Sequence, residues 1–332
     1  MSTTQDASTA GRALYHAAWE IVGRKFFDTE RLKDWTSWEH RFDELIDSET
    51  TARGYIAQMV ASLGDSYTKL LDITLEDKSD TACGTETAEA ETVNETRNDV
   101  MARRFPGNIG YIRIFSFEHP DIVEQVTEGA AAIADCDAFI IDLRDNGGGA
   151  VDAACSCCEL FVPKGGVGSI KRRLPDGRLW HRDVGLVDEG ILFITKVTDE
   201  EDRLEGFMRR QPITLNKPVV VLINENTGSS AEMMAAAIIE SDKESGLVIC
   251  IGVPSFGKGI AQQKVTVLDK LVIQITTAHF MSPTDVWFGD AQQTVRNPVN
   301  PDVHVEGDGD KGPNAQLDAA YRHLTGRLAK VA

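Results

Sequence analysis

Apolar side chains recur every three or four positions across residues 11–64, which is the spacing of one face of an α-helix. The runs fall into three groups, and the pair Gly64-Asp65 ends the pattern. This spacing predicts three short helices. We expect them to pack as a small helical bundle that occupies residues 1–72.

A polar stretch follows the predicted bundle. Residues 76–99 consist mainly of Asp, Glu, Thr, Ser and Asn, with few large apolar side chains. Such a composition cannot bury enough apolar surface to form a core. We therefore expect residues 73–106 to be an acidic polar linker or surface loop.

From residue 107 onward, short and nearly continuous apolar runs alternate with amphipathic ones. Strands are predicted at 109–115, 138–143, 219–223, 248–251 and 271–278, and helices at 121–134, 151–161, 231–240 and 314–331. Apolar strands separated by helices favour a sheet with parallel strands that is covered on both faces. We expect an α/β core with an insertion at residues 164–217, in which a Pro175-Asp176-Gly177 turn indicates a hairpin.

Composition and charge limit the classes of partner. The chain has 332 residues, of which 42% are hydrophobic, and 34 basic residues against 52 acidic ones give a net charge of −18. Nucleic acids and anionic membranes attract clustered Lys and Arg, so neither is expected as a partner. No apolar run reaches the ~18 residues that span a bilayer. Residues 1–10 lack the apolar core of a secretory signal, which favours a cytoplasmic location. The oligomeric state is not determined by the sequence.

Three of the six cysteines, Cys155, Cys157 and Cys158, lie within four positions. A zinc site would need a second ligand cluster at a defined spacing, and none follows. We interpret these residues as reduced thiols buried on a helix. No metal or cofactor is expected.

Two predicted strand-to-helix turns and one lysine carry the candidate chemistry. Residues 142–149 end in three glycines, which either form a plain tight turn or leave backbone N–H groups facing negative charge. Residues 224–232 place Ser229 where a helix begins, either as an ordinary N-cap or as a raised hydroxyl. Lys258 lies between two glycines, with Gln262 four positions later.

The order of these elements resembles the C-terminal-processing, or tail-specific, serine peptidases, which use a Ser/Lys pair. The resemblance covers about residues 11–325. Six motifs carry it, at 63–68, 109–114, 142–149, 227–232, 252–259 and 301–303. It implies a crotonase-like (ClpP/crotonase) mixed sheet covered by helices, and hydrolysis of protein or peptide substrates.

The resemblance places Ser229 as the nucleophile, Lys258 as its general base and Gln262 as the residue that supports the lysine. A lysine can act as a base only if its pKa, ordinarily about 10.4, falls by ~3 units, which burial among apolar groups achieves. The tetrahedral oxyanion of an acyl transfer also needs fixed donors. The backbone N–H of Ser230 and that of Gly148 or Gly149 are the candidates.

The sequence departs from the family pattern at three places. Ser229 and Lys258 lie somewhat further apart than in the family, which fits a short insertion near residues 242–246. Ser230-Ala231 stands where the family more often has Ala-Ser, so Ser230 is a rival nucleophile. The family's PDZ domain normally follows the first motif, but residues 73–106 are fewer than the ~50 that a domain needs. We expect the PDZ domain to be missing.

Two alternatives remain open at this stage. His279 is a rival general base, although no acidic partner for it is identifiable in the sequence. The chain is alternatively a catalytically silent ligand- or peptide-binding module, since the same fold occurs in retinoid-binding repeats. Ser229, Lys258 and Gln262 together favour the enzyme. The other histidines have no chemical context in the sequence: His16, His40, His119, His181, His304 and His323.

Overall fold

The computed structural model describes residues 2–71, 98–174, 176–242, 245–307 and 314–331. The helices are α1 (Ser2–Lys25), α2 (Glu49–Ala61), α3 (Ile122–Ile133), α4 (Val151–Cys158), α5 (Ser230–Glu240) and α6 (Ala315–Val331). The strands are β1 (Lys69–Leu71), β2 (Val100–Phe105), β3 (Ile109–Ile114), β4 (Ala138–Asp142), β5 (Gly165–Arg173), β6 (Leu179–Val187), β7 (Gly190–Val197), β8 (Arg203–Met208), β9 (Val219–Ile223), β10 (Val248–Gly252), β11 (Ile260–Val267), β12 (Leu271–Met281) and β13 (Val303–His304).

The contacts between residues divide the chain into two compact units. The first unit comprises residues 1–95, 171–180 and 260–279, and the second comprises residues 96–170, 181–259 and 280–332. Residues 1–71 and 260–279, which the predicted boundaries at residues 72 and 106 assign to different domains, therefore fall in the same unit. The units are described one at a time below.

The first unit contains two of the three predicted helices. Helices α1 and α2 pack against each other, but the middle prediction is wrong, because two short 3-10 helices at Thr29–Leu32 and Trp35–Trp38 replace an α-helix. The Ser37 hydroxyl donates a hydrogen bond to the Asp34 carbonyl at 2.7 Å. Such local side-chain bonds compete with the α-helical pattern.

The core of the first unit includes a sheet that the sequence analysis did not assign to it. Strand β12 pairs antiparallel with both β1 and β11. Tyr15, Phe26 and Ile56 from the N-terminal segment share one apolar cluster with Ile273 and Ile275 of β12. The helices thus bury their apolar faces on strands that follow them by some two hundred residues, and the predicted bundle is a helix-and-sheet layer.

The second unit is built on a six-stranded sheet in the order β13-β10-β9-β4-β3-β2. All neighbouring strands in it run parallel except β2, which is antiparallel to β3. Leu324 of α6 packs on the face that carries Ile140, whereas Gly129 of α3 lies against Ile112 on the opposite face. The predicted α/β class, a mixed sheet between helices, is confirmed.

Part of the predicted linker is a strand. Residues 100–105 form β2, the antiparallel edge of this sheet, and only 73–97 of the predicted linker lie outside the described residues. Strand β2 carries two arginines, Arg103 and Arg104, both exposed. Charged side chains are common on edge strands because they discourage pairing with another chain.

The predicted insertion at residues 164–217 contains strands β5 to β8, whereas the sequence indicated one hairpin. Strands β5 and β6 are joined at the predicted turn, where the Leu174 amide donates to the Arg178 carbonyl at 2.8 Å and Gly177 has a φ of +85°. Pro175 lies outside the described residues. A second hairpin follows, in which β7 and β8 pair antiparallel.

None of the described helices is long and apolar enough to cross a membrane. The cytoplasmic location stays a prediction.

Candidate active site

Three loops of the second unit meet at one edge of its sheet. They follow β4, β9 and β10, which are consecutive parallel strands, so their carboxyl ends lie side by side. Ligands of open α/β sheets usually bind at this edge. The three loops are called here the glycine turn (residues 143–150), the serine turn (residues 224–229) and the lysine loop (residues 253–259).

Hydrogen bonds hold the three loops against one another. The Gly228 amide of the serine turn donates to the Asn146 carbonyl of the glycine turn at 2.9 Å. The Phe256 amide of the lysine loop donates to the Thr227 carbonyl at 2.8 Å. The Thr227 hydroxyl also donates to the Leu143 carbonyl at 2.9 Å. The topology therefore gathers motifs that are more than a hundred residues apart along the chain.

Ser229 stands at the start of α5 in a strained backbone conformation. Its φ is +57° and its ψ is −125°, a combination that residues other than glycine rarely adopt and that costs on the order of 1–3 kcal/mol. The residue lies at the margin of burial, with 9% of its surface exposed. The surrounding bonds hold this strain in place, since both the Gly228 and the Ser229 amides have acceptors.

The rival Ser230 has a different environment. It is the first residue of α5, only 1% of it is exposed, and its hydroxyl donates to the Gly149 carbonyl at 3.3 Å. A hydroxyl buried in this way has little access to a substrate. The geometry thus favours Ser229 over Ser230 as the reactive serine.

The glycine turn needs glycine for two reasons. Gly148 has a φ of +103°, and a Cβ added there would lie 2.7 Å from the Cβ of Ser229. Gly149 has a φ of +144°, and a Cβ there would lie 2.3 Å from the carbonyl carbon of Phe117. Only residues without a side chain allow the glycine turn to approach both the serine turn and the backbone of Phe117 so closely.

The predicted oxyanion donors are not equivalent. The Gly148 amide donates to Asn146 Oδ1 at 2.9 Å, so it already has an acceptor, and this bond argues against it as the oxyanion donor. Within the described part of the chain, neither the Gly149 amide nor the Ser230 amide donates to an acceptor. Of the two glycines, Gly149 is therefore the one with an available N–H.

Lys258 lies half-buried in the lysine loop. Burial lowers the pKa of its amine from the ordinary value of 10.5, and the carboxylate of Glu232 acts in the opposite direction. The direction of this shift is the one that a lysine base requires.

Glu232 is the residue that the sequence analysis missed. It is fully buried on α5, and its Oε2 accepts hydrogen bonds from the amides of Ser229 and Lys258, both at 2.8 Å. Its Oε1 accepts from the Ser255 hydroxyl at 2.5 Å and from the Gly257 amide at 2.7 Å. Because the two backbone amides donate to the same oxygen, each at 2.8 Å, the backbone nitrogens of Ser229 and Lys258 lie no further apart than the sum of these two distances.

The sequence contains a pattern that could have identified Glu232 as a residue of the site. A carboxylate three residues after a serine at a helix start is the capping-box pattern, in which it returns to the amide of the N-cap residue. Here the same carboxylate also reaches the lysine loop. Burial raises the pKa of Glu232, and its hydrogen bonds from Ser255, Lys258, Gly257 and Ser229 oppose that rise.

A buried ion pair between Asp142 of β4 and Arg144 of the glycine turn holds the start of this turn against the end of the strand. Arg144 contacts both oxygens of Asp142, at 2.8 and 2.5 Å, and the Tyr111 hydroxyl donates to Asp142 at 2.9 Å. Asp142 is fully buried. Breaking such a pair by removing one partner is strongly destabilising, because it leaves a buried charge uncompensated.

The remaining predicted residues, Gln262 and His279, are grouped with the first unit. Gln262 lies on β11 in the first unit, where its side-chain amide donates to the Thr276 hydroxyl at 3.4 Å. His279, the rival base, also belongs to the first unit, and its ring packs against Phe27 with centroids 4.0 Å apart and the planes tilted by 41°. Neither residue belongs to the unit that holds Ser229 and Lys258.

The cysteine interpretation is confirmed for the described residues. Cys155, Cys157 and Cys158 are free and buried on α4. Burial raises the pKa of the Cys155 and Cys157 thiols to about 12.

The sequence and the fold both match known proteins. The chain is 28% identical over 229 residues to the carboxy-terminal processing protease CtpA of Bacillus subtilis (strain 168), covering 68% of this chain and 41% of that protein. It is 28% identical over 212 residues to a carboxy-terminal-processing protease of Bartonella bacilliformis, covering 61% and 40%. The chain thus spans about two-fifths of the length of these relatives.

Solved structures share the fold at low sequence identity. A photosystem II D1 C-terminal processing protease matches with a TM-score of 0.66 at 18% identity, over 95% of this chain and 97% of that one. A lipoprotein from Streptococcus agalactiae matches with a TM-score of 0.58 at 14% identity, over 96% of both.

A family model also matches residues 108–305, which include all three loops of the candidate site. This match covers more than half of the chain, and its span contains Ser229, Glu232 and Lys258. The resemblance seen in the sequence is therefore confirmed, and the chain belongs to peptidase family S41.

Proposed function

We propose that this protein is a serine endopeptidase that hydrolyses peptide bonds of protein or peptide substrates through an acyl-enzyme on Ser229. One observation carries the proposal. The buried Glu232 carboxylate joins the amide of a strained serine to the amide of a lysine whose pKa is lowered by burial. A serine on a strained strand-to-helix turn is the arrangement that exposes the nucleophile in other hydrolases.

The reaction begins with proton transfer. The neutral amine of Lys258 takes the proton of the Ser229 hydroxyl while the oxygen attacks the peptide carbonyl carbon. The amides of Gly149 and Ser230 donate hydrogen bonds to the oxyanion that forms, and each such donor contributes about 3–4 kcal/mol in comparable sites. The tetrahedral intermediate collapses as Lys258 passes the proton to the leaving amine.

Hydrolysis of the acyl-enzyme uses the same groups. Lys258 accepts a proton from water as the water attacks the ester carbonyl, and the oxyanion again lies on the two amides. Ser229 recovers its proton when the product acid leaves. The supporting role that the family resemblance gives to Gln262 stays a prediction, as does the absence of a PDZ domain.

The test compares four proteins on an unfolded protein substrate. We expect Ser229→Ala and Lys258→Ala to lower kcat/KM by at least about 10³-fold relative to wild type. Ser230→Ala is the matched control, because it removes the neighbouring hydroxyl and leaves the amide in place. It should retain activity within about tenfold of wild type.

A serine-directed acylating reagent gives a second readout. Mass spectrometry of the treated wild-type protein should locate the adduct on Ser229 and not on Ser230. Wild-type cleavage no faster than that of Ser229→Ala, together with no adduct, would contradict the proposal. That result would favour the catalytically silent binding module.

A further inference from the structure

Three side chains with metal-ligating atoms meet in the first unit. His16 lies on α1, and His40 and Asp43 lie in the turns that follow the 3-10 helix Trp35–Trp38. His16 Nε2 is 2.9 Å from Asp43 Oδ1, and His40 Nδ1 is 2.9 Å from Asp43 Oδ2. One ligand atom from each residue lies within 4.8 Å of the others.

The placement of the two imidazole rings fits a shared ion. Their centroids are 5.0 Å apart, and their planes are tilted by 53°. An ion 2.0–2.1 Å from one nitrogen of each ring, at a tetrahedral angle, would place the centroids about 5 Å apart. Small side-chain movements would bring the Asp43 carboxylate to the same ion.

The donor set selects the class of ion. Two imidazoles and one carboxylate suit first-row transition ions, whereas Mg²⁺ and Ca²⁺ prefer oxygen ligands. Zn²⁺ is commonly four-coordinate with nitrogen and oxygen ligands, so three protein ligands leave one position for water. The ion would replace the two hydrogen bonds that join His16 and His40 to the Asp43 carboxylate.

The surroundings support such a site. The second ring nitrogen of His40, Nε2, is 3.7 Å from Glu39 Oε1, an ion-pair distance rather than a hydrogen bond. Metal-bound histidines usually donate this second N–H to a carboxylate, a carbonyl or water. The His40 side chain is 71% exposed, which gives an ion a path of entry.

We propose that His16, His40 and Asp43 form a Zn²⁺ site that ties helix α1 to the turns at residues 39–45 of the first unit. The sequence analysis expected no metal and found no chemical context for His16 or His40, which lie far apart along the chain. The site is independent of Ser229 and Lys258, and its test does not use proteolysis.

The first experiment measures Zn²⁺ binding to the full chain without an affinity tag. Titration calorimetry should find one Zn²⁺ per chain. The variants His16→Gln, His40→Gln and Asp43→Asn should each weaken binding by at least about tenfold. His304→Gln is the matched control, because His304 contacts a single carboxylate, Glu306, at 2.8 Å. This variant should bind Zn²⁺ with the affinity of the wild-type protein.

The second experiment reads the ligands directly and does not depend on whether the variants fold. X-ray absorption at the zinc edge of the wild-type protein should show nitrogen and oxygen ligands at about 2.0–2.1 Å, two of them imidazole. Sulfur at about 2.3 Å would instead place the ion on cysteines. No binding of Zn²⁺, sulfur ligation, or unchanged affinity in the three variants would each overturn the proposal.

Discussion

At the scale of single residues, Glu232 explains why the backbones of a strained serine and a half-buried lysine lie close together. A carboxylate that accepts four hydrogen bonds in a buried place is costly to move, since each donor would lose its partner. It therefore fixes the backbones of Ser229 and Lys258 relative to each other. Its negative charge also raises the pKa of Lys258 and so opposes the lowering that burial causes.

This charge gives a prediction about pH. Below its lowered pKa the Lys258 amine holds a proton and cannot accept another, so kcat/KM should rise with pH through that pKa. Glu232→Gln removes the negative charge that raises the Lys258 pKa, so the rising limb of the profile should move to lower pH, whatever the loss in rate. The pH profile of kcat/KM measures the free enzyme.

The control for this prediction is Glu128→Gln, an exposed carboxylate on α3. It should leave the limb where it is in wild type. A limb that moves to higher pH in Glu232→Gln would show that Glu232 does not act on the lysine through its charge.

At the scale of elements, the meeting of the three loops of the candidate site depends on the order of the three strands that precede them. The glycine turn, the serine turn and the lysine loop meet because β4, β9 and β10 are parallel neighbours. The close approach of the first two loops leaves no room for a side chain at Gly148, since its Cβ would contact Ser229. The geometry of the serine turn thus depends on a residue eighty positions earlier.

Gly148→Ala should therefore impair the site. A positive φ costs an alanine about 1–2 kcal/mol, and the collision with Ser229 Cβ would displace the serine turn. A displacement of about 1 Å is enough to lower kcat/KM by about 10²-fold. Steady-state kinetics on an unfolded substrate measures the loss.

Gly147→Ala is the matched control in the same turn. A Cβ at Gly147 would meet no atom within 4 Å, and its φ is not in the positive range. It should retain nearly full activity. Equal losses in the two variants would mean that the turn tolerates no alanine for a reason other than the contact with Ser229.

At the scale of the whole molecule, each unit is built from separate segments of the chain. The first unit buries Tyr15, Phe26 and Ile56 against strands β11 and β12, which belong to residues 260–279. Its helices are therefore stable only when a distant part of the chain has folded onto them. Isolated short helices are marginal in water, so this packing supplies most of their stability.

Ile273→Ala tests this dependence. Ile273 is fully buried, and removing its side chain should lower the free energy of unfolding by about 2–5 kcal/mol. Hydrogen exchange should become faster along α1, although the mutated residue lies on β12. Lys264→Ala on the neighbouring strand, where the side chain is exposed, should change neither quantity by more than about 0.5 kcal/mol. Unchanged exchange in α1 would contradict the shared core.

The sequence determined much of the second unit. Strand β9 was predicted with the bounds that the structure has, and β4 and α3 were predicted within one residue at each end. These elements have strong periodicity and are buried on both faces or along one stripe, so local pattern and tertiary packing agree. The position of Ser229 at the start of α5 was equally visible, because strand, turn and helix signals follow one another.

Only the tertiary structure decided the remainder. The 3-10 helices at residues 29–38 and the strands β1 and β11 depend on local side-chain bonds and on partners far along the chain. The same holds for the role of Glu232, for the acceptor that engages the Gly148 amide and for the meeting of His16 with His40 and Asp43. A sequence pattern records which face of an element is apolar, but not which distant group a buried polar atom will find. The reason is that such pairings are fixed by the packing of whole elements.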